Sequence, residues 1–127
     1  MSDVTDPLVW AKYAEEDWKV ANLLLKRKAS LNTSICFHAQ QSAEKYLKAL
    51  LVSKKTSFPK THDLLTLNSL CTEAGIFTEF SPKSLTILAD HAVASRYPGE
   101  EPTREEAKES IKIAKAVRKF AQAFLGL

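Results

Sequence analysis

The sequence predicts an all-α fold: an up-and-down helical bundle of four long helices and one short helix, with residues 1–127 forming a single domain whose core runs over about 7–125. Three observations predict it. Proline and glycine are scarce, five and three residues respectively in a chain of 127, and they punctuate long stretches of good helix formers. Inside those stretches apolar residues recur at steps of three and four, the spacing of one helix face. Helix-start signals precede the stretches: Asp6-Pro7, Ser81-Pro82 and Thr103-Arg104-Glu105-Glu106.

Asp6 caps the first helix and Pro7 takes its first turn, where a missing N–H costs nothing. The helix runs to about Lys28. Trp10, Ala14, Ala21 and Leu25 form its inner side, with Glu15, Glu16, Lys19, Asn22 and Lys26 mostly opposite. The Lys26-Arg27-Lys28 triplet suits the negative end of the helix dipole. Asn32, Thr33 or Ser34 can cap the second helix, which continues to about Lys54 with no Pro or Gly. Its apolar residues Ile35, Ala39, Ala43, Tyr46, Leu47 and Leu50, widened by Cys36 and Leu51, make a stripe too broad for one neighbour, which makes this the central helix. A polar loop to Lys60 follows. Thr61 then opens a short helix, 62–74, with Leu64, Leu65, Leu67, Leu70 and Cys71 inward and Gly75 just past its end. Ile76–Phe80 is a connector with two aromatics tucked under the bundle. The fourth helix runs from Pro82 to about Ser95, with Leu85, Leu88, Ala89 and Ala92 inward. Tyr97, preceding Pro98, is driven out of helical geometry. The last helix opens on the Thr103/Glu106 capping box and runs to about Leu125. Ala107, Ile111, Ala114, Val117, Ala121 and Phe124 face inward, and Lys108, Lys112, Lys115 and Lys119 form a solvated basic row.

Composition narrows the class. Hydrophobic content of 45% and charged content of 26% are those of a globular protein. A net charge of +3 permits an anionic partner without demanding one. The two cysteines, Cys36 and Cys71, show no metal-ligand spacing, and Cys36 reads as a buried small hydrophobe. No metal and no cofactor is expected. The acidic N-terminus has no hydrophobic segment and predicts no signal peptide. No apolar run approaches membrane-spanning length. The expectation is a cytoplasmic protein with reduced thiols and no membrane partner.

The polar residues of the central helix are ordered too. His38, Gln41, Lys45 and Lys48 follow one another at steps of three, four and three, with Gln40 and Glu44 in a parallel row. The row reads either as a solvated face or as a seam at the mouth of a groove. The end of helix four concentrates His91, Ser95, Arg96 and Tyr97 before an irregular, acidic loop. Arg96 there offers a planar fork for a phosphate, or it pairs with Glu44 and locks helix four to helix two.

The run Cys36-Phe37-His38-Ala39-Gln40-Gln41-Ser42-Ala43-Glu44-Lys45, continued by Leu47-Lys48-Ala49-Leu50-Leu51, resembles the second helix of HEPN domains, the higher eukaryotes and prokaryotes nucleotide-binding family. Lys60-Thr61-His62-Asp63-Leu64 and Ser95-Arg96-Tyr97-Pro98 fit the family in order, so the resemblance spans about Trp10 to about Leu125. It implies a helical homodimer and a small two-protein system with a minimal nucleotidyltransferase, often working as toxin and antitoxin. It implies that the Thr61–Leu64 piece packs the third helix on the central one, where His62 and Asp63 read as capping residues. Many members are metal-independent ribonucleases marked by an Arg followed four to six residues later by a His. No His follows Arg27, Arg96, Arg104 or Arg118 at that spacing. No catalytic residue is therefore assigned. The expectation is a nucleotide- or RNA-binding module using Arg96, Tyr97, His38, Gln41 and Lys45. The alternatives are a ribonuclease with a divergent site and a purely structural dimerisation domain.

Overall fold

The structure is a computed structural model that describes residues 5–27, 31–93 and 98–127. It is all-helical among those residues: α1 (Pro7–Leu25), α2 (Asn32–Ser53), α3 (Leu64–Glu73), α4 (Pro82–His91) and α5 (Arg104–Leu125). Three helices have 19–22 residues, while α3 and α4 have ten each. The segment expected to carry helix four on towards Ser95, with Arg96 and Tyr97, lies outside the described residues.

Each helix but α2 starts where a side chain satisfies an otherwise orphaned N–H. Asp6 accepts from Leu8 N at 2.9 Å, and Ser81 accepts from Ser84 N at 3.0 Å. At α5 the capping box is complete, with Thr103 Oγ1 accepting from Glu106 N at 3.1 Å and Glu106 accepting from Thr103 N at 2.9 Å. Helix three starts two residues later than its sequence signals place it. Asp63, not Thr61, is the cap, accepting from Leu65 N at 3.0 Å, while Thr61 Oγ1 braces Asp63 N at 3.0 Å. A carboxylate two residues further on wins the capping position because it also complements the helix dipole. At α2, Asn32 is inside the helix and no side chain caps it; the Asn32 amide instead donates to Pro102 O at 3.1 Å, tying the start of α2 to the segment before α5.

Helix ends follow the same logic. Gly75 takes φ +87°, with Ile76 N donating to Cys71 O and Gly75 N to Thr72 O at 2.8 and 3.0 Å. This paired arrangement needs a left-handed residue just past the helix. Helix two ends in the same way on a residue that is not glycine: Lys55 has φ +55°, with Thr56 N on Leu51 O and Lys55 N on Val52 O.

Helix α2 packs against all four other helices, and thirteen of its 22 residues are buried. Ile35, Tyr46, Leu47, Leu50 and Leu51 fill the centre, meeting Ala14 and Ala21 of α1, Leu67 of α3, Leu85 and Leu88 of α4, and Ala114 and Val117 of α5 in one core cluster. The alanines on α1 and α5 let those helices approach α2 closely. Both cysteines are buried, and neither forms a disulfide among the described residues. Three apolar positions lie further out than their spacing predicts. Leu65, Phe77 and Phe124 are 38%, 70% and 41% exposed. Phe77 is not tucked under the bundle, because the connector turns at Glu79, with φ +61°, and gives its inner places to Ile76 and Phe80.

Candidate ligand cleft between the second and fourth helices

A helix that contacts four neighbours has little solvated face, so its polar side chains must find partners. The ordered row on α2 divides into two clusters for this reason. Facing α1, Asp17 stands between His38 and Lys45, with Oδ1 at 2.7 Å from His38 Nδ1 and Oδ2 at 2.6 Å from Lys45 Nζ. Facing the α2–α3 loop, Glu44 is buried and takes Lys48 Nζ at 3.0 Å, Gln40 Nε2 at 3.3 Å and His62 Nδ1 at 3.1 Å. Lys48 is itself buried, its ammonium 5.4 Å from the Trp10 ring and 5.7 Å from the Phe58 ring. Two aromatic faces stabilise a cation that has left water.

Gln41 belongs to neither cluster. With Phe37, Gln40 and Glu44 it lines one wall of a cleft of about 330 Å3, whose other walls are His62 and, from the α4 end, Ala89 and Ala92. Two small residues there leave the opening. The end of α4 is held beside it by His91, whose Nε2 lies 3.0 Å from Glu109 of α5. The cleft offers an exposed aromatic ring, Phe37, for stacking. It also offers two amides, Gln40 and Gln41, and an imidazole anchored by a buried carboxylate. Of the five residues assigned to a ligand from the sequence, Gln41 lines this cleft. His38 is next to Phe37, with their rings 5.3 Å apart. Lys45 and His38 share Asp17. Arg96 and Tyr97 lie outside the described residues, and so does any contact between Arg96 and Glu44.

Sequence spacing misses the polar couplings that cross between helices. Glu15, placed on the outer side of α1, accepts a two-pronged grip from Arg118 of α5, Nε at 2.7 Å and Nη2 at 2.8 Å, and a hydrogen bond from Tyr46 of α2 at 2.5 Å. The Arg118 grip holds the Glu15 carboxyl below the usual carboxylate range. Burial, reinforced by Glu15, pushes the Tyr46 hydroxyl up to about 12. His62 differs from its expected capping role. Asp63 caps α3, and the His62 ring turns to Glu44 instead. The motif around His62 flags the residue, but nothing in its spacing points to a carboxylate 18 positions earlier.

A second groove, about 390 Å3, runs between α4 and α5 over Phe80, Leu85 and Ile113. None of the residues assigned to a ligand lines it among those described. No described helix is long and apolar enough to cross a membrane, and no group of three or more potential metal-ligating side chains exists among the described residues.

Comparisons with known proteins agree with this architecture. The chain is 30% identical to "Putative toxin MJ1304" of Methanocaldococcus jannaschii, a match covering 92% of this chain and 86% of that protein. The crystal structure of TT1696 from Thermus thermophilus superposes with a TM-score of 0.70 at 23% identity, covering 92% of this chain and 96% of that one, which is a likeness of fold. The model of the HEPN domain matches residues 8–124, and this chain belongs to the HEPN domain family.

Proposed function

We propose that this chain is a nucleotide- or RNA-binding HEPN module of toxin–antitoxin type, working as a homodimer beside a minimal nucleotidyltransferase partner and taking its ligand at the α2–α4 cleft. The observation that carries the reading is the cleft itself. It joins a stacking ring (Phe37), amides (Gln40 and Gln41) and an imidazole (His62) around one opening, the set of contacts an unpaired nucleotide takes. Family membership and the similarity to a protein named as a toxin support the toxin side. Arg96 and Tyr97 follow Ala92 by four and five positions in the sequence, and Arg96 supplies the phosphate contact in this reading. Glu44 already has Lys48, Gln40 and His62 as partners, which favours a ligand over Glu44 as the counter-charge of Arg96.

Titration of a fluorescent single-stranded RNA and of mononucleotides into wild type and Arg96→Ala, with melting curves of both, tests this. Loss of a charge-assisted contact is worth on the order of 1.5–3 kcal/mol, so affinity falls by at least tenfold with the melting temperature unchanged. A large fall in melting temperature with affinity kept in the folded fraction makes Arg96 structural. No binding by wild type at micromolar protein overturns the reading. Co-purification of the chain with the product of a neighbouring nucleotidyltransferase gene tests the partner.

A further inference from the structure

We infer that the groove between α4 and α5 is a docking site for an amphipathic helix of a partner protein, whose apolar side enters the groove and whose flank towards α5 is acidic. The groove shares no lining residue with the α2–α4 cleft, so the inference stands apart from the ligand reading of that cleft.

The floor of the groove is apolar. Leu85 is fully buried, Ile87 and Ile113 are partly buried, and Ala116 of α5 is exposed. A small side chain beside branched ones leaves a depression that a Leu or Ile of another helix fills. The apolar track continues past the groove. The Phe80 ring meets Phe120 edge-on with centroids 5.6 Å apart, and Phe120 stacks on the exposed Phe124 ring at 6.0 Å. Ile113, Ala116, Phe120 and Phe124 recur at steps of three and four along α5. At a rise of about 1.5 Å per residue they span about 17 Å, the length of about three turns of a partner helix. A helix laid in such a groove anchors itself at i, i+3 or i+4, and i+7.

Charge decides which helix. Lys112 lines the groove, and Lys108, Lys115 and Lys119 share its side of α5 at steps of three and four. All are exposed, and Lys112, Lys115 and Lys119 have no carboxylate partner among the described residues. Lys54 adds a cation at the far end of the track, 5.8 Å from the Phe124 ring. Of the acids on the lining, Glu109 is taken up by His91 at 3.0 Å, and Glu79 belongs to the other wall, in the loop before α4. Acidic residues along one flank of the incoming helix answer this row. The exposed apolar side of α1 in a second copy does not, since Lys12 and Lys19 lie along it. A nucleic-acid backbone would answer the lysines and leave the aliphatic floor uncovered.

The test titrates the full chain into a fluorescein-labelled synthetic peptide of about fourteen residues, about four turns of helix. It carries Leu along one side and Glu on the flanks; a second peptide has Lys at the Glu positions. Fluorescence anisotropy shows the acidic peptide binding at micromolar protein, about tenfold more tightly than the basic one, and more weakly as salt is raised. Ala116→Glu, at an exposed position, keeps the melting temperature and weakens the acidic peptide about tenfold, because a carboxylate then stands in the floor. The double variant Lys112→Glu, Lys119→Glu reverses the preference between the two peptides, which adhesion to any apolar surface does not predict. Equal binding of both peptides to wild type, no binding of either, or wild-type affinity in Ala116→Glu overturns the proposal. Displacement of the acidic peptide by an equal concentration of single-stranded RNA assigns the lysine row to a nucleic acid and overturns it too. So does a dimer mass that falls to a monomer mass in Ala116→Glu, which gives the groove to a second copy.

Discussion

Lys55 spends conformational energy that the fold does not need. A lysine at φ +55° closes α2, where glycine has no Cβ to clash. Lys55→Gly raises stability by about 0.5–1 kcal/mol, the left-handed strain removed less the extra entropy of the unfolded chain, readable as a higher urea midpoint at constant slope. Tyr46 makes the opposite trade. Its ring is fully buried and its hydroxyl reaches Glu15. The folded state raises its pKa from 10.0 to about 12, through burial and then the Glu15 hydrogen bond. The folded protein therefore holds the proton more tightly than the unfolded chain. That stability is fully present below pH 10 and is lost as pH rises towards about 12. Glu15 has the other sign: its pKa is lowered by Arg118, so its contribution is present above the unfolded carboxyl pKa and is lost on acidification through the lowered value. Tyr46→Phe removes the alkaline loss and costs about 0.5–1.5 kcal/mol at neutral pH, checked by denaturation across pH. Cys71 follows from burial alone, which pushes its thiol up to about 12. A thiol reagent at neutral pH modifies Cys71 only after unfolding.

The helices themselves are largely written in the chain. Asp6-Pro7, Ser81-Pro82 and Thr103 with Glu106 each place a helix start, because a cap is a local event that a few residues decide. The face of α2 is legible because its apolar residues keep the helical period, as are the buried positions of α5 down to Ala121. The polar partners are not legible. Period says which residues share a face, and it is silent on which helix comes to meet them. Lys48 looks like a solvated lysine, yet it is buried between Trp10, Phe58 and Glu44 because other elements close over it. Glu15 looks like an outer residue, yet Arg118 reaches it from α5, 103 positions away. The same blindness hides the partner of His62, which lies in the loop before α3 while Glu44 lies on α2. Lys48→Met tests how far such a pair stabilises the packing of α2. Glu44 keeps Gln40 and His62 but loses its charge partner, so the cost is about 1.5–3 kcal/mol. The double variant Glu44→Gln, Lys48→Met recovers part of it, because no buried charge is then left unpaired. Urea melts of the four combinations give the coupling.

Two surfaces of the described bundle bear on the proposed dimer and the proposed ligand. On α1, Tyr13 and Val20 stand either side of Asp17 in the sequence, and 49% and 36% of their surfaces are exposed. A paired charge flanked by exposed apolar side chains is suited to a second copy, and it supports the proposed homodimer. Light scattering gives a dimer mass at micromolar concentration for wild type, and Tyr13→Glu shifts it to a monomer mass; a monomer for both contradicts the dimer. The cleft between α2 and α4 is the other surface, and it is where the proposed ligand binds. Titrating RNA into isotopically labelled protein and following backbone amide shifts tests it directly. The changes are expected to gather on Phe37, Gln41, Glu44, His62, Ala89 and Ala92. Changes gathered instead along Lys108, Lys112, Lys115 and Lys119 of α5, or over Phe80 and Ile113 in the second groove, contradict it.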